Sequence, residues 1–600
     1  MRVKSEDGSG ERGAGSRTQR TMIRSLLVCC LLPIAYCLAA FAAPPDDASK
    51  ALQEVKAFRA AEAQRVFRTV EILRRAEAAG VQASQGFDIQ HWDLDLRVIP
   101  AARTIAGTVT MSFEPTQSLS KIKMRLYPRL KASGATLDGV VLKVKRDGAN
   151  LTFNLAQPLQ PGTTHDLAVT YSGTPVVTGG LGGGMMFGSH DGTPSATTLS
   201  EPFDSYAWWP CVDDVKDKAT MTMRLTVPAG MTGASNGTLD GVTANGDGTL
   251  TYTWSENYPL SNYLISANVT NYSTSSDHYQ GLDGTTSMPI DYFVYPEGLA
   301  NSMNTVQRVP DMIAFFANLA GEYPFLNEKY GMVTFPWGGG MEHQTLTSMG
   351  DAYLGGGTGD YDGIYAHELA HMWWGDAVTC ATWNDIWLNE GFATYYEMLW
   401  LVHHYQGDEG DFMSQYYDDG AYDGYLGGAV YRKNGNQPFA DTGAIYEKGA
   451  WVLHMLKGVM GEDSFDRALR RYRAAHALGV ASTADLRAAC EAQYGHPLDW
   501  FFDQWVYTPK RPIYRMTTTQ GVGQVTVVIE QRQPHKVANR TSDRDVYTMW
   551  VPLWFHYSDG SSEIRTVWNN QRSQSFNFAV SKPLESVGLD EGHTILKTLQ

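Results

Sequence analysis

Apolar residues follow three different spacings along this chain. Between Asp47 and Gly80 they recur every three or four positions, at Leu52, Val55, Phe58, Val66, Val70 and Leu73, which predicts an amphipathic helix within an extension over residues 43–86. From Phe87 the period falls to two, in stretches such as 88–96 and 104–113 with Gly, Asp and Asn turns between them, predicting a β-rich domain over 87–295. Helical spacing returns at 299–319 and dominates from Tyr365 to Tyr507, with one strand-like interruption at 330–335; an α-rich domain with a small sheet is expected over 296–512. Strand alternation resumes at 525–530, 547–557 and 575–580, as a terminal β-sandwich over 513–600. The architecture expected is multidomain α+β. The Gly-rich stretch from Gly179 to Gly184 lacks the Gly-Lys-Ser/Thr of a phosphate loop and reads as a hairpin tip.

Length and charge narrow the classes. At 600 residues the chain exceeds what one core organises, and 43% hydrophobic against 19% charged residues describes a folding chain. A net charge of -16 with no Lys/Arg-rich run in the body repels phosphate backbones, so nucleic acid is not an expected partner.

The first 42 residues read as an export signal: Arg20 and Arg24 precede an apolar run, and Ala40-Phe41-Ala42 offers a small-x-small cleavage site. A start at Met22 would give that signal its usual length. Six basic and three acidic residues lie in it, so its removal takes the net charge from -16 to -19. The periplasm or extracellular space is the expected location. The competing reading, a membrane anchor over residues 25–42, is disfavoured because the run falls short of the ~20 residues a spanning helix needs and Pro33 interrupts it. Of six cysteines only Cys211, Cys380 and Cys490 follow the signal, allowing at most one disulfide, so stability must come from packed cores.

Chemistry concentrates in the α-rich region. His367-Glu368-Leu369-Ala370-His371 lies in a helical stretch, where residues four apart share a face and both imidazoles reach one zinc at about 2.0–2.1 Å. Glu368, turned about 100° from His367, faces a water rather than the metal. Glu390 opens a second helical stretch and completes a set of two His and one Glu, which leaves zinc's fourth position open in the catalytic manner. Glu397, seven residues on and on the same face, is placed to hydrogen-bond a ligand histidine.

The surrounding words resemble the gluzincin zinc aminopeptidases, the family of aminopeptidase N and leukotriene hydrolase, over roughly residues 87–600. His371-Met372-Trp373-Trp374-Gly375-Asp376 and the run from Trp383 to Ala393 are similar to that family's segment between its zinc ligands. Gly340-Met341-Glu342-His343 resembles its substrate strand, Glu201-Pro202 the β-domain segment that supplies a second amine-binding acid, and Tyr446-Glu447-Lys448-Gly449-Ala450 its catalytic tyrosine motif.

The resemblance implies a saddle-like N-terminal β-domain, a thermolysin-like catalytic domain holding one zinc ion, and peptide substrates with a free N-terminus. It assigns Glu368 as general base, Tyr446 as oxyanion donor, Glu201 and Glu342 as amine anchors, and Gly339, Gly340 and Met341 as the strand that pairs with the peptide.

Two departures stand out. His343 occupies a position where the family commonly has Asn, which bears on substrate alignment. No large helical C-terminal domain follows the sandwich, which implies a more open cleft. Three alternatives remain open. Asp441, where the epoxide-hydrolase branch has a second tyrosine, disfavours that activity. Glu201 and Glu342 disfavour a thermolysin-like endopeptidase. The presence of both Glu368 and Tyr446 disfavours a non-catalytic peptide-binding protein.

Overall fold

The computed structural model describes residues 86–177, 183–357, 359–418, 420–421, 424–534 and 544–600. The expected signal and nearly all of the helical extension lie outside these residues. So do three glycines of the expected hairpin tip, whose ends meet in an antiparallel bridge between Val177 and Gly184.

The N-terminal region is built on β1 (Phe87–Ile99), which pairs antiparallel with β2 (Thr104–Pro115) and parallel with β3 (Ala219–Pro228) in an eight-stranded sheet among the described residues. A bulge between Ile89 and His91 resets the alternation, so Trp92, Leu94, Leu96 and Val98 follow Phe87 and Ile89 into the core. The next strand outward from β3 is β4 (Thr249–Leu260). A four-stranded sheet made by 184–190, 193–199, 267–270 and 232–235 ends one of its strands at Leu199, just before the turn that carries Glu201.

A mixed five-stranded sheet comes next. It contains β5 (Ser273–Gln280), β6 (Ser287–Val294), β7 (Tyr330–Phe335), β8 (Gly340–Met341) and β9 (Thr347–Gly350), in the spatial order β5-β6-β7-β9-β8. Because β6 runs parallel to β7, the last strands before Tyr295 hydrogen-bond with the sheet that leads into the helices. The apolar stretch 299–319 forms two helices, Leu299–Thr305 and Val309–Ala320. Pro310 lies in the first turn of the second, where its missing N–H is not needed, so the chain breaks and restarts there.

Two helices bear the zinc-site candidates: α1 (Asp362–Ala370) and α2 (Trp387–Tyr405). Every residue of α1 is buried, as expected of a helix enclosed on all sides. The third helix that positions the site is α3 (Glu447–Met460). Two three-residue strands, Val378–Cys380 and Gly479–Ala481, pair in parallel within the helical region. The C-terminal region is a sandwich of two antiparallel-rich sheets, with Val525, Val527 and Ile529 of one and Val551, Leu553 and Phe555 of the other buried, and Phe555 meeting Phe578 at 5.0 Å between ring centroids.

Candidate active site

His367 in the last turn of α1 and His371, which caps that helix one turn later, direct their Nε2 atoms to the same point, 3.2 Å from each other. Glu390, in the first turn of α2, brings Oε2 to 3.5 Å from both. Donors about 2.0–2.1 Å from a tetrahedral ion stand about 3.3 Å apart, so this triangle has the dimensions zinc requires. The second nitrogens settle the tautomers. His367 Nδ1 donates to Glu397 Oε2 (3.1 Å), and His371 Nδ1 donates to the Trp374 carbonyl (3.1 Å), which leaves both Nε2 lone pairs facing inward. Glu397 is itself held by the Tyr417 hydroxyl, which donates to Oε1 at 2.9 Å.

The electrostatics ask for a cation at that point. Burial opposes charge on His371, yet Glu342, Glu390 and Glu368 outweigh it and push its pKa up to about 10. Burial likewise favours a neutral Glu390, but the two imidazoles hold it down to about 2. Two lone pairs and an ionised carboxylate converging in a buried pocket fit zinc as their resident ion.

Glu368 sits over β8. A Cβ on Gly340 would stand 2.2 Å from Glu368 Oε1, so the glycine there makes room for this carboxylate. That is a stronger demand than the close approach of a peptide expected from the sequence. Met349 and Ser348 of β9 pair with Gly340 and Met341, and the Gly339 carbonyl accepts from Gly350 N (2.7 Å). Among the described residues β8 is the last strand of its sheet, with one edge paired to no strand.

Tyr446 lies at the start of α3, its ring 5.8 Å from that of His367 and within 20° of parallel. It reaches this place because α3 touches α2 backbone to backbone: a Cβ on Gly391 would come within 2.9 Å of Gly449 Cα.

Glu201 and Glu342 come together from separate regions. One oxygen of each, with one of Glu390, lie within 4.8 Å of one another, and both residues are buried. Burial, then the neighbouring Glu390 against the pull of His371, raises the Glu342 pKa. Tyr263, absent from any motif, ties the two halves of the cleft. Its hydroxyl donates to Glu342 Oε1 (3.4 Å) and accepts from Asn389 Nδ2 (3.3 Å) beside the Glu390 ligand. Trp337 joins Glu201, Met341 and Tyr446 in lining the cleft and was likewise unmarked in the sequence.

His343 does not line the cleft. It is fully buried, with Nδ1 2.8 Å from Ser348 Oγ, and burial pushes its pKa down to about 3, so it is a neutral packing group. Asp441 stands at the start of the short helix Thr442–Ile445, with Arg432 3.6 Å away.

Comparison with known proteins agrees with this geometry. The Peptidase M1 N-terminal domain matches residues 89–264, and the Peptidase family M1 domain matches residues 304–505. Aminopeptidase A of Gloydius brevicauda is 24% identical over 82% of this chain and 53% of its own length. Aminopeptidase N of Haemonchus contortus is 25% identical over 78% of this chain and 51% of its own. The chain thus spans about half the length of these relatives. Among solved structures, a two-domain M1 zinc metallopeptidase bound to L-tryptophan superposes with a TM-score of 0.63 at 27% identity, covering 70% of this chain and 95% of that one. An M1 zinc metallopeptidase from Deinococcus radiodurans gives 0.61 at 27% identity, covering 70% and 93%. With both characteristic domains in order and a zinc-type donor set within the second, the chain belongs to peptidase family M1.

Proposed function

We propose that this protein is a zinc-dependent aminopeptidase that removes N-terminal residues from peptides with a free amine. The observation that carries the reading is the approach of Glu201 and Glu342 to within 4.8 Å of the Glu390 ligand. Close carboxylates repel unless a cation lies between them, and the α-ammonium of a peptide is such a cation. An acylated N-terminus would leave that charge uncompensated. Placing the ammonium beside the metal ligands leaves room for one residue before the bond that is cut, hence cleavage one residue at a time.

Zinc held by His367, His371 and Glu390 would supply Lewis acidity, which makes water at the site a stronger acid. Glu368 takes the proton of the attacking water and passes it to the departing amine. Tyr446 donates its hydroxyl to the oxygen that gains charge at the tetrahedral carbon. The free edge of β8 holds the peptide extended, and Glu397 and the Trp374 carbonyl keep both histidines oriented. We also read residues 1–42 as an export signal, which N-terminal sequencing of protein recovered from outside the cytoplasm would test.

The assay is hydrolysis of aminoacyl arylamides and their acetylated counterparts, before and after chelation. Cleavage of free amines only, loss with chelator, recovery with zinc, and near-inactivity of Glu368→Ala are expected. Equal cleavage of acetylated substrates would overturn the reading.

A further inference from the structure

The segment that follows β8 closes in two turns: His343 N donates to the Met341 carbonyl (2.9 Å), and Leu346 N donates to the His343 carbonyl (2.9 Å). Glu342 is the middle residue of the first turn. Thr345 is the third residue of the second, with φ of 60°. Turns place Gly or Asn at such positions, and a β-branched residue there is an outlier that its surroundings must enforce.

Thr345 is fully buried; its hydroxyl accepts from Gly237 N (2.7 Å) and donates to Glu256 Oε2 (2.8 Å), with the Gln344 carbonyl a second acceptor at 2.7 Å. Glu256 Oε1 accepts from Gln344 Nε2 (3.1 Å), and Asn236 Nδ2 donates to the Gln344 carbonyl (2.6 Å). Glu256 stands on β4 of the N-terminal region. It is inaccessible to solvent and faces Glu328 and Lys329, whose ammonium donates to the Ser235 and Gly237 carbonyls. Burial, then Glu328, holds its pKa well above the usual carboxylate range. The turn is therefore gripped by Asn236, Gly237 and Glu256, none of which belongs to the sheet that carries β8.

We infer that Thr345 is a positioning residue for Glu342: its hydroxyl, held by Glu256 and Gly237, locks the left-handed turn that aims Glu342 at the substrate amine. Relaxing residue 345 to negative φ would redirect backbone three residues from Glu342, between two short strands. The inference rests on the aminopeptidase reading and deepens its amine anchor.

Three variants test it: Thr345→Val removes the hydroxyl and keeps the branched side chain, Thr345→Ser keeps the hydroxyl, and Thr345→Gly removes both the hydroxyl and the need for it. The readouts are KM and kcat on L-leucine p-nitroanilide, Kd for L-leucine by calorimetry on zinc-loaded protein, and Tm. For Thr345→Val, KM and Kd should rise about tenfold with kcat within about threefold. Thr345→Ser should match the parent, and Thr345→Gly should stay within about threefold of its Kd. That recovery by glycine is what a hydroxyl with a merely structural role would not produce. Parent-like KM and Kd in Thr345→Val, or Thr345→Gly as weak as Thr345→Val, would overturn the inference. A parent protein that binds L-leucine but cleaves no arylamide would defeat the aminopeptidase reading alone, because the calorimetric ranking of the three variants still decides this one.

Discussion

His367 and Glu390 stand on α1 and α2 and His371 caps the C-terminal end of α1, all in helical backbone, whereas Glu201 and Glu342 stand on turns just beyond short strands in distant parts of the chain. On the metal side the geometry is local: a four-residue spacing aligns the imidazoles, and packing of two helices adds the carboxylate. On the amine side it is assembled from outside, through Tyr263, Asn236 and Glu256 of the N-terminal region. Regular structure therefore builds the zinc-type donor set, and tertiary contacts build the proposed amine anchor. Changes on the two sides should separate kinetically.

The largest effect is expected at the reacting bond. Tyr446→Phe keeps the ring against His367 and removes only the donor, so kcat should fall about 10²- to 10³-fold with KM little changed. A comparable rise in KM would blur the division between the two sides. Next, Glu342→Gln should raise KM for free-amine substrates by about 10- to 100-fold while zinc content by atomic absorption stays at one per chain. Loss of metal in that variant would merge the two halves. Glu397→Gln should do the reverse, weakening zinc affinity by about 10- to 100-fold in a chelator competition, with KM unchanged once zinc is saturating.

The smallest effect concerns Asp217, outside the cleft, whose carboxyl burial raises to about 7 while its Oδ1 accepts from Ile89 N (2.9 Å). A folded-state pKa above the unfolded value gives stability that is full below about pH 4 and is lost as pH rises through about 7. Asp217→Asn should therefore show a flatter Tm between pH 4 and pH 7, read by calorimetry. An unchanged slope would assign that pH dependence to other groups.

The same division governs how much was legible in the sequence. Strand β7 falls at the limits its apolar run predicts, and the ligand spacing on α1 needed no tertiary information. Alternation placed the region of β5 and β6 only within a β-rich stretch ending at Tyr295 and is silent on sheet membership, which depends on a parallel pairing with a strand beyond two helices. The parallel pair at 378–380 and 479–481 is too short to show a period. Glu397 could be anticipated because it shares a helical face with Glu390. The partner of the other histidine is a backbone carbonyl at Trp374, which no residue type announces. Tyr263, Trp337 and the grip on Thr345 were hidden for the same reason: their neighbours are far away in sequence. His343 was noticed as a departure, and only burial shows that it faces Ser348 rather than the cleft.

The most direct test of the account is a crystal structure of zinc-loaded Glu368→Ala protein soaked with an unblocked tripeptide, with anomalous data at the zinc edge. The expected result is one anomalous peak among His367, His371 and Glu390, and the peptide's terminal nitrogen within hydrogen-bonding distance of both Glu201 and Glu342. A peptide running through the cleft with its amine elsewhere, or a metal peak between those two acids, would contradict it.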